Sequence, residues 1–162
     1  MEKLKLDLLA LLEEDARFTT AKLAKMTSTT QEKVEATIAE MEADGLIIGY
    51  TAIVNSDLLG DERVQALIEV RVTPVRSKGF DTIAEEIVNF DEVESVFLMS
   101  GGYDLTVVVN GRTLKEVAQF VSERLSTLEN VISTTTHFIL KNYKQNGMLV
   151  NKKTDNRIMV NP

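Results

Sequence analysis

The sequence predicts an α+β chain in which a small helical unit precedes a sheet-forming domain. Three observations predict it. Residues 20–45 place apolar side chains at helical spacing on either side of a short polar turn. From residue 62 onward, strand-like and helix-like stretches follow one another in the order β-α-β-β-α-β. Both helices of that second half carry one apolar stripe, which suits helices laid on a single face of an antiparallel sheet.

The first element, Met1 to Glu14, sets leucines at 4, 8, 11 and 12, with Leu6 and Leu9 widening the stripe of an amphipathic helix. Asp15 to Phe18 is a connector whose Phe18 packs into the core, and Thr19 or Thr20 caps the helix that follows. That second helix sets Leu23 and Met26 three apart, with Ala21 and Ala24 beside them. Thr27, Ser28, Thr29 and Thr30 favour a turn and an N-cap, and Val34, Ile38 and Met41 repeat along a third helix. This is the geometry of a three-helix, winged-helix-like helix-turn-helix domain over residues 1–45, with the last helix presented to a DNA groove. An ordinary helical hairpin has the same spacing, and spacing alone leaves both open.

Gly45 is a natural helix stop, and Leu46 to Val54 (LIIGYTAIV) has the β-branched and aromatic content of a linker strand. A loop from Asn55 to Asp61 completes a linker over residues 46–61. The domain over 62–140 then reads as strand Val64–Val75, helix Phe80–Phe90, strand Val93–Met99, a Gly101-Gly102 turn, strand Tyr103–Asn110, helix Leu114–Leu125 and strand Val131–Leu140. Ile83, Ile87 and Phe90 on one helix, and Val117, Phe120, Val121 and Leu125 on the other, cover one sheet face in a ferredoxin-like arrangement. The opposite face carries Val, Ile and Phe and points to burial against a second copy. Residues 141–162 form a basic extension, read as a hairpin of Met148–Val150 with Ile158–Val160.

Composition narrows the function classes. At 162 residues and 44% hydrophobic content the chain can build one domain or two small ones. It has no cysteine, so disulfide and thiolate chemistry are excluded. No early apolar run has signal-peptide form or membrane-spanning length, so a cytoplasmic protein without a membrane partner is expected. The net charge of −7 argues against a general polyanion binder, because non-specific nucleic-acid affinity comes from lysines and arginines. The extension from Lys141 runs the other way, with five basic residues against Asp155.

The helix-turn-helix unit, the linker GLIIGYTAIV and a β-α-β-β-α-β domain containing SGGYDLTVVV together resemble the Lrp/AsnC, or feast/famine, family of transcription regulators. The resemblance covers about Met1 to Leu140, and its most specific signals are Gly45-Leu46-Ile47 leading to Gly49-Tyr50-Thr51, and the hairpin with Gly101 and Asp104. It implies operator DNA as one partner and a small effector, plausibly an amino acid, as another. It also implies a homodimer, often assembled further into tetramers or octamers.

Two sets of residues are candidates for these partners. If Val34, Ile38 and Met41 face inward, Glu32, Lys33, Ala36, Ala39 and Glu40 face outward. The DNA-contacting set is therefore Lys22, Lys25, Thr29, Thr30, Gln31, Glu32, Lys33 and Ala36, with the lysines on phosphates. This face is short of cations: residues 1–45 hold six basic and ten acidic side chains. The effector set is Met99, Ser100, Gly101, Gly102, Tyr103 and Asp104, joined by Thr134 and Thr136. Gly101 and Gly102 can adopt angles closed to other residues and leave amides bare for a carboxylate. Asp104 can meet an ammonium group, with Tyr103 and Met99 as walls. A plain hairpin turn, and plain strand propensity for the threonines, explain the same residues.

One histidine without cysteine leaves no metal-ligand set and few ways to build a nucleophile, so no cofactor and no catalysis are expected. The alternative function is a metabolite-binding or oligomer-modulating protein of the same fold with little DNA affinity.

Overall fold

The computed structural model describes residues 2–58, 60, 63–74 and 79–150. The chain divides into two compact units, Met1–Ala52 and Ile53–Pro162.

The first unit contains α1 (Lys3–Glu14), α2 (Thr20–Met26) and α3 (Gln31–Ala43). Leu8, Leu23, Ala24, Val34 and Met41 form its buried centre, and Leu4, Leu9, Leu11, Leu12, Phe18, Ile38 and Ile47 pack around them. Leu6 is left outside that core, and Met26 is half exposed. The starts of α2 and α3 are capped by threonine. Thr19 Oγ1 accepts from the Lys22 N–H at 3.2 Å, and Thr30 Oγ1 accepts from the Lys33 N–H at 3.3 Å. Between them the Thr29 N–H donates to the Ala24 carbonyl at 2.9 Å, closing the turn.

The end of α3 is a Schellman motif. The Leu46 N–H reaches the Met41 carbonyl at 2.9 Å and the Gly45 N–H reaches Glu42 at 3.1 Å. Gly45 has φ of +70°, where a Cβ would be strained. Within its own chain the expected linker strand has no partner: among the described residues, Leu46–Val54 joins no ladder. Its β-branched residues mark a surface that fits a pleat, but a strand exists only beside another strand. Ile48 is 97% exposed.

The second unit realises the predicted order as β1 (Val64–Val72), α4 (Asp81–Ile87), β2 (Val93–Leu98), β3 (Leu105–Gly111), α5 (Leu114–Phe120) and β4 (Val131–Ile139). The sheet order is β2-β3-β1-β4, antiparallel throughout. Ala66, Ile68, Val70 and Val72 of β1 alternate inward with Leu105, Val107 and Val109 of β3 against Ile83 and Ile87 of α4 and Val117 and Phe120 of α5. Past Phe120 the helix loosens into a π turn over Val121–Leu125, closed by the Ser126 N–H on the Val121 carbonyl at 2.8 Å.

The other sheet face is more mixed than its apolar content in sequence implied. By register it presents Leu67, Val108, Phe97 and Ile139 among Glu69, Thr106, Thr135 and His137. His137 Nε2 lies 3.2 Å from Glu69 Oε1 in its midst.

Beyond β4, β5 (Lys144–Gln145) pairs with β6 (Met148–Leu149) across Asn146 and Gly147, whose φ angles of +44° and +82° belong to a tight primed turn. The tail hairpin expected from sequence used Met148–Val150 in the other direction. Met148 and Leu149 turn back on Lys144 and Gln145, because Asn-Gly is the shortest-range hairpin signal present. The expected partner Ile158–Val160 lies outside the described residues.

Candidate nucleic-acid interface and effector turn

The α2–turn–α3 element presents one outward face. Val34, Thr37 and Met41 of α3 are buried, and Glu32, Lys33, Ala36, Ala39 and Glu40 are exposed. The acids on α3 are mostly tied down. Glu35 Oε1 accepts from Gln31 Nε2 at 2.7 Å and from Thr20 Oγ1 at 2.9 Å, which lowers its pKa and links α3 to α2. Glu40 is held by Lys5 Nζ at 2.8 Å, which also lowers its pKa. Glu42 Oε1 accepts from the Tyr50 hydroxyl at 2.9 Å.

The candidate DNA contacts therefore separate by what they are already doing. Thr30 is spent on its cap, and Gln31 on Glu35. Lys22 Nζ sits 3.8 Å from the centre of the Phe18 ring, with its ammonium still at the surface. Lys25 occupies the last turn of α2, where its charge complements the helix dipole. Thr29 lies in the turn. The side chains of Lys33 and Glu32 project from the first turn of α3; the Glu32 carboxylate has no hydrogen bond or ion pair among the described residues, the Lys33 ammonium helps lower the pKa of Glu40, and Ala36 lies one turn further along the Glu32 face.

The turn between β2 and β3 is stapled to β1. Asp104 Oδ2 accepts from the Val72 N–H at 2.9 Å, the Asp104 N–H donates to the Val70 carbonyl at 3.1 Å, and the Met99 N–H donates to the Asp104 carbonyl at 2.8 Å. Met99, Ser100, Gly101 and Gly102 are exposed, and Tyr103 is half-buried with its hydroxyl accepting from Thr106 Oγ1 at 3.2 Å. The conformational argument for the two glycines is corrected: neither has a positive φ, and a Cβ on either would meet nothing within 4 Å. Neither strain nor crowding within the chain calls for glycine there. Alanine at 101 or 102 is thus expected to leave stability unchanged or raised by up to about 1 kcal/mol through a less flexible unfolded chain, with the melting temperature equal to the parent's or slightly higher. Thermal denaturation of Gly101→Ala and Gly102→Ala checks this.

Thr134 and Thr136 do not join the turn in one cluster. Register places Thr134 opposite Val70 and Thr136 opposite Ile68, on the face covered by helices, and Thr134 Oγ1 is 3.2 Å from Ser126 Oγ. Asp104 and Thr106 share the parity of the open face, and Tyr103, in the turn, is tied to Thr106 by its hydroxyl. Sequence reasoning weighed His137 only as a metal ligand and passed over Glu69; both lie on that open face. Alternation from Thr106 would have found them, had the pairing of β1 with β3 and β4 been known.

Residues 65–149 match the model of the Lrp/AsnC ligand binding domain. The HTH-type transcriptional regulator YugG of Bacillus subtilis is 46% identical over 158 residues, covering 96% of this chain and 95% of YugG. The chain belongs to the Lrp/AsnC family. Among solved structures it is similar to the leucine response regulatory protein LrpA of Mycobacterium tuberculosis, with a TM-score of 0.75 and 20% identity over 93% of this chain and 100% of that one. It is also similar to a Neisseria meningitidis transcriptional regulator in complex with L-Met, with a TM-score of 0.70 and 21% identity over 90% and 93% of the two chains. At these identities the two structures establish the Lrp/AsnC fold.

The Lrp/AsnC assignment makes the chain a transcription regulator rather than an enzyme, in a family whose members bind DNA and small-molecule effectors and oligomerise. No helix among the described residues is long and apolar enough to cross a membrane.

Proposed function

We infer that this Lrp/AsnC chain is a sequence-specific regulator of amino-acid metabolism that binds operator DNA as a homo-oligomer and responds to an amino acid. The observation that carries the effector half is the exposed Gly101-Gly102 turn, whose glycines have no use within the chain and whose ends are fixed to β1 through Asp104. Bare amides there suit a carboxylate, and the Asp104 charge suits the ammonium of the same molecule. The match to a ligand-binding domain, and the L-Met bound to the Neisseria neighbour, support an amino acid as the ligand class. A second copy on the mixed sheet face supplies the dimer, and larger assembly follows the family.

Ligand held between subunits would favour one assembly by its differential affinity and so reset the spacing of the α3 helices along DNA. The six basic and ten acidic residues of positions 1–45 favour the second reading, a metabolite-binding relative with little DNA affinity.

A thermal-shift screen of the twenty amino acids tests the effector assignment. A ligand at about 100 times its Kd stabilises the native state by about 2.7 kcal/mol, a shift of several degrees. The hit is then repeated on Asp104→Asn. Asparagine keeps an oxygen for the Val72 N–H, whereas alanine would leave that buried strand end unpaired at a cost of about 1–3 kcal/mol. The expected result is an unliganded melting temperature near that of the parent and a shrunken ligand shift. A full ligand shift in Asp104→Asn removes the ammonium contact from the assignment.

A further inference from the structure

We propose that Glu32 is a base-reading residue that selects a cytosine in each operator half-site; this rests on the DNA-binding function inferred above. Few side chains in the first turn of α3 still have a free head. Thr30 Oγ1 is committed to the Lys33 N–H, and Gln31 Nε2 to Glu35. Of the four glutamates on α3, Glu35, Glu40 and Glu42 are bonded to Thr20 and Gln31, to Lys5 and to Tyr50. Glu32 is exposed and has no hydrogen bond or ion pair among the described residues.

The start of a recognition helix is the part that meets base edges. Lys33 beside Glu32 suits a phosphate, but a carboxylate is repelled there, so the favourable place for Glu32 is over a base. Cytosine offers an N4 amino donor in the major groove with no acceptor of its own beside it. Adenine sets its N7 acceptor next to its amino group, guanine offers only acceptors, and thymine offers an acceptor and a methyl group. A carboxylate thus accepts from cytosine and is penalised by the other three. Its contribution is chiefly to reject wrong sites, because its charge opposes DNA everywhere else.

The test is selection of bound duplexes from a randomised library by the full chain, by Glu32→Gln and by Glu32→Ala. The parent is expected to enrich a motif containing a cytosine that it favours about 5- to 150-fold over other bases, the usual cost of one mismatched base pair. Glu32→Ala is expected to lose preference at that one base pair while binding the rest of the motif as tightly or more tightly. Glu32→Gln is expected to prefer adenine there, since an amide pairs with both N6 and N7. Identical motifs from all three proteins overturn the assignment with DNA binding intact, and a parent that enriches no motif overturns the underlying DNA-binding function as well. If Glu32 served only the dipole of α3, the variants would shift in melting temperature and keep the parent's base preference.

Discussion

Leu23→Ala is expected to unfold the N-terminal unit while the sheet of the second unit stays folded. Leu23 is fully buried and belongs to a core of five buried side chains shared by three short helices. Truncating a buried leucine costs about 2–5 kcal/mol. A unit of this size holds only about 0.05–0.15 kcal/mol per residue, so the loss is comparable to its whole stability. Hydrogen exchange reads the result by segment. Amides of α1 and α3 should lose protection, and those of β1 and β3 should keep it, because the two units have separate cores. Retained protection in α3 would show that the site collapses around the smaller side chain. DNA binding should disappear with the fold of the unit.

The second large effect is expected from replacing Lys22, Lys25 and Lys33 together with alanine. Each lysine that meets a phosphate contributes about 0.9 to the slope of log K against log salt, so three contacts in one protomer give about 2.7. The variant should bind upstream DNA of its own gene more weakly at low salt and with a visibly flatter salt dependence. Lys22 also rests on the Phe18 ring, a contact worth about 0.5–1 kcal/mol, so a thermal melt accompanies the titration. An unchanged slope would take these three lysines out of the interface. Absence of binding by the parent at micromolar dimer and low salt would favour the metabolite-binding alternative.

The parts of the fold that were legible in sequence are those set by local chemistry. That each helix starts on a hydroxyl was legible from Thr19 or Thr20 and from the run Thr27 to Thr30, of which the structure uses Thr19 and Thr30, and the stop at Gly45 follows from the one residue that tolerates its φ. The β-α-β-β-α-β order follows from switches between periods of two and 3.6 residues. Features decided by pairing at a distance were not legible. Thr134 and Thr136 alternate correctly, but which face they join depends on the register of β4 against β1. Leu46–Val54 has strand composition without a strand beside it. Gly101 and Gly102 signal a turn, yet their actual φ values and open surroundings exist only once the chain is folded. Asp104 has a partner, the Val72 N–H, 32 residues away in sequence.

Glu35 is a small feature with a wide consequence. By accepting from Thr20 on α2 and Gln31 on α3, over a core those helices share, it ties the two helices to each other. On the proposed function, the reading head is then a stamp of fixed relief. An effector can press it harder, lift it, or set neighbouring stamps closer or further apart, but it cannot recut the face. Metabolic state would change how many copies of a mark are made along the chromosome and at what spacing, while the mark itself, base for base, stays the same.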